Sequence, residues 1–590
     1  MNQFVLKRAD KIIGLSLAVF FFVLLISTLD IGFSRDEGYY FNAGELYSKW
    51  FDTLFKEPKK AFTKAEVEKH FAYNPEHPAL PKILFGLSWR LFGNFWDFKA
   101  EPETASWYDG GKPPEPILPI LRESTAMRLP ALMLNSMLIF LVYIFCAQFI
   151  SRTSGLAAAL LCGLQPHLFW HSHLACFDMP ITVMWFFTVY AFFRAEQGSL
   201  KWSILTGVAF GLALNTKHNA LFLLPLLALY WLATRLREFS FAKGGMKLPS
   251  IPVAFIFMLT IGPALYYLLW PKLWFDPIGH LKWYFGRHAQ HEFYWAYYFG
   301  TLYTKPPFPM EFPFVMSMMT IPAPTVLLSL LGLITQCGAK LGGFLRKNTG
   351  INPGLKPLAT VTAAQKHPDY LFAFLFLNFL IPFAIIAHPK VPIFGGTKHW
   401  LPGVPFLAIF AGIGFDYICK AFKTLFEGRL KNFETFRRGF IVSALLLFAA
   451  PALFETLRGH TNGSTYYNSF FGGYGAMGKY GMQREFWGNS AFSALEWLNS
   501  RAQKNAVVDF HDTNWDAYNM YLRDGLLRKD VRAEWDYQKA DFHLFHVHKE
   551  FLDLEYDVQF DYGTIFPEGG VYQDGMPLLL IYKNSRGETQ

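Results

Sequence analysis

The sequence predicts a polytopic α-helical membrane protein with about eleven transmembrane helices and a soluble α/β domain at the C-terminus. Of its 590 residues, 52% are hydrophobic and only 17% are charged, whereas soluble domains average about 25% charged residues. The apolar residues are grouped in runs of roughly 16 to 24, the length of helix that crosses a bilayer. Between these runs lie short loops rich in Lys and Arg, which is typical of membrane topology signals.

Eleven apolar segments are predicted to span the membrane, each with ends uncertain by several residues. The first follows Lys7, Arg8 and Lys11 and is too long for the apolar core of a cleaved signal peptide, so we expect it to be retained. The predicted segments are 12–29, 130–150, 154–170, 179–193, 202–216, 219–234, 250–271, 315–336, 370–387, 401–418 and 439–457.

The orientation follows from the basic loops. With the N-terminus inside, the basic loops 235–247, 340–366 and 420–438 all lie inside. The chain is then divided into a transmembrane domain, residues 1–457, with large external loops at 30–128 and 272–314, and an external α/β domain, residues 458–590. Strands are expected near 506–510, 542–547 and 578–582.

Charge and cysteine content exclude two classes of protein. The net charge of +9 does not indicate nucleic-acid binding, because the cations lie in loops where they fix topology. The cysteines form no disulfide framework and no metal-binding CxxC pair. They are Cys146, Cys162, Cys176, Cys337 and Cys419.

Two external motifs could carry chemistry in the first loop. Asp36 and Glu37 directly follow the first predicted span, where partial desolvation suits a general base or a cation ligand. His77 and Lys82 lie where an amphipathic helix begins, and both a helix N-terminus and a cation suit a phosphate. The simpler alternatives are a solvated turn for the acids and a capped interfacial helix with a snorkelling Lys82.

Further candidates lie in the remaining external segments. Asp178 and Lys217 stand at the mouths of predicted spans, where an ionisable side chain indicates function. His171 and His173 could bind a metal with Asp178, although their spacing matches no strong zinc pattern. The other external candidates are Arg287 and His288 among aromatic residues, His399 before the tenth span, and His543, His546 and His548 on a predicted, solvent-exposed strand of the tail.

These candidates converge on one side of the membrane. The topology was assigned from the inside loops alone, and it nevertheless places acids and cations together at the outer face. Such a face suits a reaction in which a hydroxyl is deprotonated and a phosphate leaves. The residues concerned are Asp36, Glu37, His77, Lys82, Asp178, Lys217, Arg287 and His399.

In order and membrane position, the motifs resemble those of the GT-C membrane glycosyltransferases, specifically bacterial relatives of the protein O-mannosyltransferases and of the aminoarabinose lipid A transferase. The resemblance covers about residues 1–500. It rests on Asp36-Glu37, His77-Pro78-Ala79-Leu80-Pro81-Lys82, Arg128-Leu129-Pro130, Phe177-Asp178-Met179-Pro180, Gly211-Leu212-Ala213-Leu214-Asn215-Thr216-Lys217, Lys305-Pro306-Pro307, Tyr466-Tyr467-Asn468-Ser469 to Tyr474-Gly475, and Phe486-Trp487-Gly488.

The resemblance implies an inverting transfer of a sugar from a polyprenyl-phosphate donor to an acceptor hydroxyl or phosphate. Asp36 would be the catalytic base, and Glu37 and Asp178 would position acceptor or sugar. The departing lipid phosphate would be neutralised by His77, Lys82, Lys217 and Arg287, with His288 and His399 as weaker candidates.

The resemblance also implies partners and a location. The partners would be the lipid-linked donor, membrane lipid, and a glycan, lipid A or protein acceptor, in the inner membrane of a bacterium with the tail in the periplasm. No cofactor is required, and a divalent cation is left open. The main alternative is a transporter or flippase of a lipid-linked anion; the gathering of ionisable residues at one face, without repeats, favours an enzyme.

Overall fold

The fold is a helical assembly with a small C-terminal sheet. A computed structural model describes residues 7–94, 115–238, 240–242, 245–247, 249–289, 294–349 and 368–585. The helices of the first 200 residues are α1 Arg8–Ser27, α2 Arg35–Lys56, α3 Pro58–Ala61, α4 Lys64–Phe71, α5 Leu80–Phe92, α6 Glu123–Phe149, α7 Arg152–Gly163, α8 Pro166–His171 and α9 Asp178–Ala195.

The later helices continue the assembly and end in the tail. They are α10 Leu200–Leu214, α11 Leu223–Arg235, α12 Val253–Leu268, α13 Pro277–Ala289, α14 Phe312–Thr320, α15 Ala323–Thr349, α16 Pro368–Ile386, α17 Val404–Phe426, α18 Phe433–Arg458, α19 Gly473–Lys479, α20 Ala491–Arg501, α21 Trp515–Arg523 and α22 Leu552–Tyr562. Short 3-10 segments, such as His218–Phe222 and Gly396–Gly403, precede α11 and α17.

Each of the eleven predicted spans contains helix, but several are broken. Pro166 starts a new helix within the predicted span 154–170, and the extended Ile321 separates α14 from α15 within 315–336. By length and composition, four helical segments of the described chain could cross a membrane: Arg8–Ser27, Glu123–Phe149, Gly396–Phe426 and Phe433–Arg458. The helical, apolar architecture is therefore as expected, while the count of eleven crossings stays a prediction.

Helix α1 exposes an apolar stripe. Ile12, Leu15, Val19 and Val23 follow one another at helical spacing, and more than half of each side chain is exposed. A continuous apolar face of this kind is rare on a soluble protein and suits contact with lipid.

Two glycines bring helices α2 and α5 together. A Cβ added at Gly86 would stand 1.9 Å from the carbonyl oxygen of Gly44, far inside van der Waals contact. The two backbones can therefore cross this closely because Gly86 lacks a side chain, and a Cβ on Gly44 would also be tight, 3.2 Å from Gly86 N. The crossing holds the start of α5, with Lys82, against α2, which carries Asp36 in its first turn.

The tail forms a five-stranded mixed sheet in the order β6-β5-β7-β9-β8. Its strands are β5 Val507–Asp509, β6 Arg532–Glu534, β7 Phe542–His546, β8 Gly569–Gln573 and β9 Met576–Lys583. Earlier in the chain, β1 Ser240–Ala242 pairs antiparallel with β2 Gly245–Lys247, and β3 Ala296–Tyr298 with β4 Thr301–Tyr303. Strand β5 is parallel to β6 and β7, and β9 is antiparallel to β7 and β8. The strands near 506–510, 542–547 and 578–582 are thus found where they were expected.

Helix α21 of the tail docks onto helices of the first loop through buried charges. Arg523 Nη1 donates to Glu45 on α2 at 2.5 Å, and its Nη2 pairs with Glu123 on α6. The next residue, Asp524, accepts hydrogen bonds from the backbone N–H and hydroxyl of Ser124. Burial raises the pKa of Asp524 to about 6.

Replacing Asp524 by Asn is expected to change the free energy of unfolding relative to the wild type in a pH-dependent way. The difference should move in favour of the variant as pH rises, because only the wild type carries the titrating carboxyl group. The folded state holds a proton on Asp524 more tightly than the unfolded chain, so the wild type loses stability between about pH 4 and 6. The partly exposed side chain limits this loss to about 1–2 kcal/mol. Thermal unfolding of both proteins in detergent between pH 4.5 and 7 measures the difference.

Asp530→Asn is the matched control. Hydrogen bonds from Arg528 depress the pKa of Asp530 below its usual value, so this carboxylate is ionised across the whole range. Its variant should differ from the wild type by a constant amount. A D524N difference that is also constant with pH would contradict the account of Asp524.

Candidate functional site

Asp36 lies in the first turn of α2, and the local sequence explains why the helix starts there. The hydroxyl of Ser34 accepts from the N–H of Glu37 at 3.2 Å, and the Glu37 carboxylate accepts from the N–H of Ser34 at 3.4 Å. This is a capping box, which ends the preceding extended segment and starts a helix. The helix dipole at this end favours the negative charge of Asp36.

Glu37 is held in a buried ion pair with Arg128. The guanidinium donates from Nε at 2.6 Å and from Nη2 at 2.8 Å, and both side chains are almost fully buried. The same carboxylate accepts from the N–H of Ala175 at 2.9 Å. Glu37 therefore ties α2, α6 and the 172–177 loop together. The resemblance implied contact with acceptor or sugar, but the structure gives Glu37 no exposed surface for it.

Two carboxylate–ammonium pairs lie beside this anchor. Lys217 Nζ donates to Asp178 Oδ1 at 2.6 Å, and Lys398 Nζ donates to Asp36 Oδ2 at 3.3 Å. The Lys217 and Lys398 charges both act on the Asp178 carboxylate through space. Among the four, Asp36 keeps the most exposed side chain, at 32%. The cluster can accept a proton at Asp36 and can hold an anion at its ammonium groups.

Phe177 joins the first loop to this cluster. Its ring lies 4.2 Å from the Tyr40 ring and 5.0 Å from the His77 ring, centroid to centroid. Because Phe177 immediately precedes Asp178, these contacts bring His77 to the same site. Burial, with a contribution from the Asp36 charge, raises the pKa of Tyr40 well above its usual value, so its phenol stays neutral there.

Lys82 is buried and its ammonium is engaged by the chain itself. It donates to the carbonyl oxygen of Asn74 at 2.6 Å, to the Asn74 side chain at 3.2 Å and to the carbonyl oxygen of His77 at 3.0 Å. An ammonium has three donors, so a phosphate could be bound only by giving up one of these bonds. Burial lowers the pKa of Lys82 well below its usual value. In this structure Lys82 holds the turn that carries His77.

The remaining predicted phosphate ligands are Arg287, His288 and His399. Arg287 Nη2 donates to Glu76 at 2.5 Å, next to His77 in the chain, and both side chains of this pair are exposed. The His399 ring packs on Phe394 at 4.9 Å. The side chain of His288 lies outside the described residues. The roles proposed for these three residues stay predictions.

Two of the candidate metal ligands, His173 and Asp178, have hydrogen-bond partners within the protein. His173 contacts the Thr28 hydroxyl through Nε2 at 3.0 Å and the Phe169 carbonyl through Nδ1 at 2.9 Å. Within the described ranges, no group of three His, Cys, Asp or Glu side chains could hold a metal ion. The expectation that His543, His546 and His548 lie on an exposed strand is wrong, because β7 is central in the sheet and ends at His546, and all three side chains are buried.

Sequence reasoning missed two residues of this site. Lys398 directly precedes His399, which was the predicted phosphate ligand. The conformation of the 3-10 segment Gly396–Gly403 directs Lys398 towards Asp36. Arg128 was recognised within a motif but was given no role. Its signal was present, since an arginine at the start of an apolar span needs a buried counter-charge.

Comparison with known proteins gives one family match and several structural matches. Residues 120–274 match the family model described as dolichyl-phosphate-mannose-protein mannosyltransferase, which confirms the predicted resemblance over that part of the chain. No curated protein matches significantly. ArnT from Cupriavidus metallidurans bound to undecaprenyl phosphate is 11% identical over 97% of both chains, with a TM-score of 0.42. The Archaeoglobus fulgidus oligosaccharyltransferase tethered with an acceptor peptide is 11% identical over 98% of this chain and 74% of that chain, with a TM-score of 0.46.

Glu37→Gln is expected to destabilise the protein by about 3–5 kcal/mol, because it leaves the buried Arg128 without a full counter-charge. Glu434→Gln is the matched control: its pair with Arg437 is exposed and therefore contributes little to stability. Thermal unfolding in detergent, followed by tryptophan fluorescence, compares the two. Equal unfolding temperatures for E37Q and E434Q would contradict the anchoring role.

Proposed function

We propose that this protein is a polyprenyl-phosphate-dependent GT-C glycosyltransferase that acts at the outer face of a bacterial inner membrane. The observation that carries the proposal is the pairing of two carboxylates with two ammonium groups, Asp36 with Lys398 and Asp178 with Lys217, at one site. A carboxylate can take the proton of the attacking hydroxyl, and ammonium groups can stabilise the negative charge of the departing phosphate.

The family match supports this assignment of roles. The matched residues 120–274 include Arg128, which anchors Glu37, and also Asp178 and Lys217, which form one of the two carboxylate–ammonium pairs. The family model describes enzymes that use a lipid-phosphate-linked sugar, and such a substrate brings a phosphate to the membrane boundary. Apolar helices such as α1 and α18 suit a protein embedded in that membrane.

The proposed reaction is a single displacement at the anomeric carbon of the donor. The acceptor oxygen forms a bond to this carbon while Asp36 takes the acceptor's proton. The bond between the anomeric carbon and the phosphate oxygen breaks, and the polyprenyl phosphate leaves with the electron pair. Attack opposite the leaving group inverts the anomeric configuration.

Other residues position the reactants. Asp178, held by Lys217, positions acceptor or sugar, and Lys217 faces the leaving phosphate. His77, whose ring contacts Phe177, contributes to binding of the phosphate. Arg287, which pairs with Glu76, adds a further positive charge for the phosphate. The acceptor is a glycan, lipid A or a protein, reached from the periplasm, and the tail covers this side of the site. The proposal requires no divalent cation for catalysis and leaves open whether one binds.

Asp36→Asn is expected to reduce sugar transfer by about two to four orders of magnitude, the usual contribution of a general base. The measurement supplies membranes with a labelled polyprenyl-phosphate sugar and follows label in the acceptor fraction. Asp52→Asn, which changes a partly exposed carboxylate on the same helix, is the matched control and should transfer normally.

Two results would overturn the proposal. Wild-type rates in D36N would exclude Asp36 as the base. Movement of intact labelled lipid across the bilayer by the wild type, with the sugar–phosphate bond unbroken, would instead identify a transporter.

A further inference from the structure

Lys398 occupies a prepared position against the catalytic carboxylate. Its side chain is only 8% exposed, and its ammonium lies 3.3 Å from Asp36 Oδ2. The same ammonium lies 3.7 Å from the centroid of the Trp487 ring, a close cation–π contact. Trp487 comes from the segment that leads into the tail, so the tail side of the chain completes the site.

The backbone is shaped to admit this lysine. Gly395 and Gly396 both have positive φ angles, 73° and 61°, which side-chain-bearing residues rarely adopt. A Cβ on Gly395 would lie 3.0 Å from Lys398 Cε and 3.1 Å from the Trp487 ring. A double glycine therefore gives both the turn and the space in which Lys398 lies beneath Trp487.

Arg35 fixes Trp487 from the other side. The N–H of Arg35 donates to the carbonyl oxygen of Trp487 at 3.0 Å, and its guanidinium donates to Phe486 O at 3.3 Å and to Asp512 at 2.7 Å. Because Arg35 directly precedes Asp36, these bonds hold the Trp487 backbone beside the turn that carries the catalytic carboxylate, and Lys398 contacts both the indole ring and the carboxylate.

The side chains of the cluster balance one another in charge, with two carboxylates against two ammonium groups. A donor adds a negative phosphate to this enclosed site, and that charge needs a cation. Lys217 is bound tightly to Asp178 at 2.6 Å, whereas Lys398 makes the longer contact of 3.3 Å to Asp36. A base that is paired with an ammonium is also poorly placed to take a proton.

We propose that Lys398 exchanges partners during the reaction: it pairs with Asp36 before the donor binds and turns to the donor phosphate when the donor binds. The exchange frees Asp36 to take the acceptor's proton only when the donor is present. The face of the Trp487 ring holds the ammonium while it pairs with Asp36. This inference rests on the proposed function.

The test measures binding of undecaprenyl phosphate to the full-length protein in lipid nanodiscs. Lys398→Met should weaken binding about tenfold to a hundredfold, the effect of losing one hydrogen bond between charged groups. Lys398→Arg should keep most of the affinity. Lys390→Met, which removes an exposed lysine of the same external loop, should bind as the wild type does.

Asp36→Asn gives the second and sharper readout. Removing the carboxylate frees Lys398, so D36N should bind undecaprenyl phosphate several-fold more tightly than the wild type, although it transfers sugar far more slowly. The gain should vanish in the double variant D36N/K398M, as a double-mutant cycle requires for coupled residues. A residue with only a structural role would not produce a gain in affinity.

The outcomes separate the two proposals. If the wild type neither binds the lipid phosphate nor transfers sugar, the proposed function fails. If the wild type does both, but D36N binds no more tightly than the wild type or K398M binds unchanged, only the partner exchange is overturned. Should K398M fail to fold, D36N decides the question, because a gain in its affinity supports the exchange and no gain overturns it.

Discussion

The buried ion pair between Glu37 and Arg128 is the constraint on which the site depends. One carboxylate joins α2, which carries Asp36, to α6, which carries Arg128, and to the backbone of Ala175. A buried pair of this kind contributes little net stability by itself, since desolvation offsets the attraction. The pair instead fixes the geometry. Separating the partners would leave an uncompensated buried charge, so the three segments are held in one arrangement.

This arrangement gives the two neighbouring carboxylates different environments. Asp178 is buried beneath Lys217, while Asp36 keeps a third of its side chain exposed and shares the less tightly held Lys398. A fixed carboxylate and an accessible one suit the two tasks of positioning and proton transfer. The close crossing at Gly44 and Gly86 adds the His77 turn to the same side.

The tail is part of the site's construction. Arg523 joins acids on α2 and α6, Arg35 joins Asp512, and Trp487 lies on Lys398. These contacts hold the tail against the mouth of the cluster. An acceptor arriving from the aqueous side would therefore meet the tail and the cluster together.

The sequence alone predicted the helical segments and the convergence of Asp36, His77 and Asp178, because apolar run length and basic loops constrain topology strongly. It could not predict how side chains pair. The ammonium of Lys82 donates to a carbonyl oxygen of the preceding loop, and Glu37 forms a buried ion pair with Arg128. These outcomes depend on burial and on turn geometry.

The choice between Lys398 and His399 shows the same limit, since it is made by two glycines at positive φ. The burial of β7 follows from sheet order, which links strands far apart in sequence. Neither feature has a local sequence signal strong enough to predict it.

The most direct measurement is a cryo-EM map of the protein in nanodiscs with bound polyprenyl phosphate. The account predicts phosphate density within hydrogen-bond distance of Lys217 or Lys398, beside Asp36 and Asp178, with the lipid chain leaving toward the membrane. Phosphate density that is well ordered at a position remote from both carboxylates would contradict it.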